Sequence, residues 1–101
     1  MIQNPMIVKS GGVETIDVSV QNSSNYTIYV QTAIDETQIR GKLNATKTVS
    51  LYANCFLILF ADVSNTYDIP DGCTEIGKGN DSVGDLIVVF QITKSCSITV
   101  K

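Results

Sequence analysis

No histidine occurs anywhere in the 101 residues. That absence removes Ser-His-Asp and Cys-His nucleophilic catalysis, histidine-ligated metals and the usual proton shuttle near neutral pH. Positive charge is also sparse: seven Lys and Arg stand against ten Asp and Glu, for a net charge of −3. The basic residues are scattered and no basic face with interleaved aromatics emerges, so no nucleic-acid partner is expected. The first ten residues lack the basic start and apolar h-region of a secretory signal. A chain not exported by that route, or already trimmed, is expected. No apolar run is long enough to cross a bilayer as a helix, and no membrane partner is expected. Internal repeats and low-complexity tracts are absent.

The three cysteines, Cys55, Cys73 and Cys96, show no CxxC spacing. Neither a disulfide framework nor a zinc knuckle is indicated, and a reducing site of folding fits best. Cys55 and Cys96 lie in apolar stretches, Cys73 follows Asp71-Gly72 in a loop, and a Cys73–Cys96 bridge is left open. Asn-X-Ser/Thr triplets begin at Asn22, Asn25, Asn44 and Asn80. In a chain rich in Ser, Thr and Asn they arise by chance, and without a leader they are not read as glycan acceptors.

What is present reads as strand. A chain of this length makes one domain with a modest core. Residues 49–62 begin with alternation and become apolar at every position from Cys55 to Ala61, the pattern of a strand covered on both faces. Thr46–Ala61 is predicted as one bent strand or two, kinked near Asn54. Val13–Val20 alternates, with Ile16, Val18 and Val20 on one side, and Tyr26–Ala33 carries Ile28 and Val30. These two are predicted to form an antiparallel hairpin. A short strand follows over Gln38–Leu43. Leu86–Thr93 is a second doubly apolar strand, and Cys96–Val100 alternates. Asp62–Gly84 is predicted as one long irregular loop, of a size commonly functional or interfacial in so small a domain. The fold class expected is therefore all-β: a single small antiparallel β-sandwich of six to seven strands, immunoglobulin-like or jelly-roll. It would comprise residues 13–101. Residues 1–12 would be an N-terminal arm ending in the Gly11-Gly12 hinge.

Chemistry-bearing patterns are weak. Gly72-Cys73-Thr74-Glu75-Ile76-Gly77-Lys78 imitates a phosphate loop, but Gly79 stands where Ser or Thr should hold magnesium, and the flanks supply neither buried strand nor helix. Asp62, Asp68, Asp71, Glu75, Asp81 and Asp85 cluster in sequence without a calcium-loop pattern. Their use as a glycosidase pair would require a larger cleft. No catalytic residue, metal site or cofactor is expected. Partner-contact candidates are Ile2, Met6, Ile7 and Val8 in the arm, and Tyr67, Asp68 and Asp71 facing outward from the long loop.

The opening, Met1-Ile2-Gln3-Asn4-Pro5-Met6-Ile7-Val8-Lys9-Ser10-Gly11-Gly12, resembles the beginnings of short virion accessory proteins of tailed bacteriophages. That resemblance covers about a tenth of the chain, and no functional residues carry over. It implies a non-enzymatic virion structural protein, for example a capsid-decoration, head or tail-fibre module. Such a protein would be made in the bacterial cytoplasm, and would act by assembly with other virion proteins and as a homo-oligomer. Alternatives are a β-module that binds carbohydrate or a host protein, and a small acidic inhibitor of a host enzyme.

Overall fold

In the computed structural model, residues 14–41 and 44–101 are described. They contain eight strands and no helix. In chain order these are β1 (Thr15–Asn22), β2 (Ile28–Gln31), β3 (Glu36–Ile39), β4 (Thr46–Tyr52), β5 (Cys55–Ala61), β6 (Cys73–Asn80), β7 (Leu86–Ile92) and β8 (Cys96–Val100). They form a three-stranded sheet, ordered β4-β1-β8, and a five-stranded sheet, ordered β3-β2-β5-β7-β6. The all-β expectation holds. The N-terminal arm falls outside the described residues.

Side-chain alternation explains how the sheets meet. Val18, Val20, Val49, Leu51, Ile98 and Val100 point from the three-stranded sheet into one buried cluster. Ile28, Val30, Ile39, Leu57, Leu59, Val88, Phe90 and Ile92 meet them from the five-stranded sheet. Leu57, Leu59 and Ala61 of β5 and every second residue of β7 are buried, which is the period of a pleated strand packed on one face.

The long 46–61 stretch does divide near Asn54. Asn54 takes a φ of 67°, a left-handed conformation that Asn tolerates better than most residues. There the chain leaves β4 in one sheet and enters β5 in the other. The corner is held by hydrogen bonds from Asn54 N to Ile92 O (2.7 Å) and from Ala53 N to Glu14 O (3.0 Å).

Three expectations are corrected. The first two strands do not form a hairpin: β1 pairs antiparallel with β4 and parallel with β8. One sheet is therefore mixed, and not purely antiparallel. A hairpin satisfies only local alternation, whereas β1 has the apolar face to serve as the centre of its own sheet. The long loop is not continuous either, since Cys73–Asn80 is an edge strand on β7 and raises the strand count above six to seven. Its Gly77, Gly79 and Lys78 read as punctuation in sequence, yet an edge strand accepts such residues. A bulge between Glu75 and Gly77 further blurs its alternation. The short third strand, finally, is Glu36–Ile39 and not 38–43.

Candidate interaction surface

The outer face of the five-stranded sheet carries an apolar patch bordered by the polar Gln31, Gln38, Thr74 and Gln91. On β5, Phe56, Ile58 and Phe60 alternate with the buried Leu57 and Leu59 and so point away from the core. Ile87 and Val89 do the same on β7, in direct register with Phe60 and Ile58. Tyr29 on β2 lies opposite Phe60, with ring centroids 5.6 Å apart and planes tilted by 47°. Tyr29, Ile58, Phe60, Ile87 and Val89 are half-buried, whereas Phe56 is 51% exposed. At the far edge, Gly77 and Gly79 stand opposite Val89 and Ile87. A Cβ on Gly79 would meet nothing within 4 Å, so this side of the face is low and flat. Ile76, in the bulge, is 51% exposed.

A shallow groove of about 330 Å³ opens at one end of this face. Tyr26, Tyr29 and Phe60 supply its aromatic wall, and Asp62, Asp81 and Asp85 its acidic one. The Asp62 and Asp81 carboxylates are occupied by their own turns. Asp62 accepts from Ser64 N (2.9 Å) and from the Ser64 hydroxyl, and these bonds hold its carboxyl below the usual range. Asp81 accepts from Val83 N and Asp85 N, both at 2.9 Å. Among the described residues, no three Asp, Glu, Cys or His side chains gather as a metal cluster.

The sequence-predicted contact residues are dispersed. Ile2, Met6, Ile7 and Val8 lie outside the described residues. Tyr67, expected to face outward, turns toward the core. It pairs edge-on with Phe90 (5.6 Å, 88°) and its hydroxyl donates to Glu75. Burial first, then that hydrogen bond and the nearby negative charge, push its phenol up to about 12. The Lys78 ammonium sits 5.5 Å from the ring centre. The reason is the backbone: residues 66–68 run beside β8, where Tyr67 bridges Val100 and Thr66 exchanges 2.8 Å bonds with Lys101. Asp68 accepts from Thr99 N. Asp71 is exposed and pairs with Lys94 at 2.6 Å, and that cation, mainly by its hydrogen bond, lowers the Asp71 pKa. The phosphate-loop imitation resolves into a turn at Gly72 (φ +96°) followed by edge strand.

The outer face itself was missed by sequence reasoning, which took the doubly apolar runs to be covered on both sides. A cue was available: a chain with no predicted helix has few elements with which to cover a second face. No protein-family model matches the chain, and neither curated proteins nor solved structures provide a match.

Proposed function

We propose that this chain is a non-enzymatic structural module, a bacteriophage virion accessory protein that acts by protein–protein assembly with copies of itself and with other virion proteins. The observation that carries the reading is the apolar outer face of β5 and β7, rimmed by the two glycines of β6. Contiguous exposed apolar surface of this kind marks association sites, and two flat sheet faces stack at about 10 Å with interdigitated side chains. A second copy presenting the same face would bury Phe56, Ile58 and Val89 in an isologous contact. The exposed edges β3 and β6 offer further pairing. The tailed-phage part of the reading rests on the resemblance at residues 1–12, and it is checked by finding the chain's peptides in purified virions. As architecture, we read the two sheets as a β-sandwich with residues 1–12 as an arm. The parallel β1–β8 pair makes the three-stranded sheet a mixed one.

Sedimentation across the micromolar range tests the assembly. The wild type is expected to sediment as an oligomer, and Phe56→Glu with Val89→Lys as a monomer of unchanged Tm. A wild type that stays monomeric would overturn the reading. A second reading, carbohydrate or host-protein recognition, is favoured by the aromatic groove alone. Glycan-array binding lost on Tyr26→Ala would establish it. Tyr26 is the suitable probe because it is 48% exposed, whereas Tyr67 packs on Phe90.

A further inference from the structure

Cys73 opens β6 in the five-stranded sheet and Cys96 opens β8 in the three-stranded sheet. Their sulfurs meet across the core edge at 2.7 Å. The approach is set by backbone neighbours on both sides. Cys73 is in register with Ile92, the last residue of β7, and Cys96 with Val18 on β1. Thr93 N donates to Gly72 O (2.9 Å) and Cys73 N to Pro70 O (3.1 Å). The Asp71–Lys94 pair, at 2.6 Å, clasps the same corner from outside. Any side chain on Gly72 would press on Lys94 Cγ, with Cβ only 2.7 Å away. The three residues between β7 and β8 thus carry the chain from one sheet to the other directly beside Cys73.

We propose that Cys73 and Cys96 are an oxidisable pair that closes as a disulfide stapling the two sheets. Cys55 is excluded from the pair by topology. It flanks Ile92 on the opposite side from Cys73, two strand spacings or about 9.5 Å away, whereas bridged cysteines have Cα atoms within about 7 Å.

The oxidant is a low-molecular-weight disulfide such as oxidised glutathione. Cys96 is the more exposed of the two; Cys73 is only 8% exposed. Burial and then the Cys96 contact push the Cys73 thiol up to about 12, which keeps it protonated. The Cys96 thiolate attacks one glutathione sulfur, forming a mixed disulfide and releasing a glutathione thiolate. Cys73 then attacks Cys96 Sγ, its proton passing to the second departing glutathione. Two protein thiols are oxidised and one glutathione disulfide is reduced to two thiols. A chain folded in a reducing cell would hold the pair open and close it on release into an oxidising medium.

The test uses the full chain equilibrated in glutathione buffers, acid-quenched, alkylated and read by intact mass and peptide mapping. Two of the three thiols are expected to disappear as a Cys73–Cys96 linkage, leaving Cys55 alkylated. Tm is expected to rise by about 10 °C and to fall back with dithiothreitol. Cys73→Ala is expected to trap a glutathione adduct at Cys96, and Cys96→Ala to leave Cys73 unmodified. Three alkylated cysteines in the folded, oxidised wild type would overturn the proposal, as would a linkage through Cys55.

Discussion

Asn22 is fully buried, yet each of its side-chain polar atoms has a partner. Its Nδ2 donates to Tyr26 O (2.6 Å) and Ile39 O (2.9 Å), while Oδ1 accepts from Ser24 N (3.0 Å) and the Ser24 hydroxyl (2.7 Å). One side chain therefore ties the end of β1 to the end of β3 in the other sheet. Asn22→Ala would remove these bonds, at about 1–3 kcal/mol per buried group left unpaired; urea unfolding should show a loss of about 2–4 kcal/mol. The sequence presents Asn22 as the start of a chance glycosylation triplet, because nothing local announces its distant partners. Tyr67 makes a different forecast. Its phenol pKa is raised, from 10.0 to about 12, so its contribution to stability is complete below pH 10 and is lost as pH rises toward 12. Tyr67→Phe should unfold less steeply with alkali than the wild type over that interval, as followed by circular dichroism.

At the scale of the element, β5 carries two surfaces on one backbone. Leu57 is 1% exposed and Phe56 51% exposed, although they are adjacent and equally apolar in sequence. Leu57→Ala leaves a cavity in the shared core and should cost about 2–5 kcal/mol. Phe56→Ala should change monomer stability by less than about 1 kcal/mol, and urea midpoints of the two variants would separate the faces. β6 shows the opposite limit of legibility. Its glycines and bulge disguise an edge strand as loop, and only its seven-residue register against β7 makes it a strand. Similarly, the turn beyond β2 is a joint between sheets. The Thr32 hydroxyl donates to Ser50 O (2.7 Å), and Ser50 N donates to Asp35 Oδ2 (3.0 Å).

For the molecule as a whole, β8 is the element on which closure depends. It flanks β1, receives the 66–68 segment along its other edge, and delivers Ile98 and Val100 to the core. A chain ending at residue 95 should lose cooperative thermal unfolding and expose apolar surface to a dye such as ANS. Because the first and last described strands are parallel neighbours, the three-stranded sheet cannot be completed until β8 is in place. Pairings of this span make for slow folding, which belongs to the same topology.

Local alternation was enough to reveal the strand-rich class, the buried halves of β1, β2 and β8, and the break at Asn54, because a pleated strand writes its one buried face as a period of two. Strand neighbours leave no such period. Only the tertiary structure joined β1 to β4 and β8, turned Tyr67 inward, brought Cys73 to Cys96 and left the second apolar face of β5 and β7 in the open, since each depends on residues far apart in the chain.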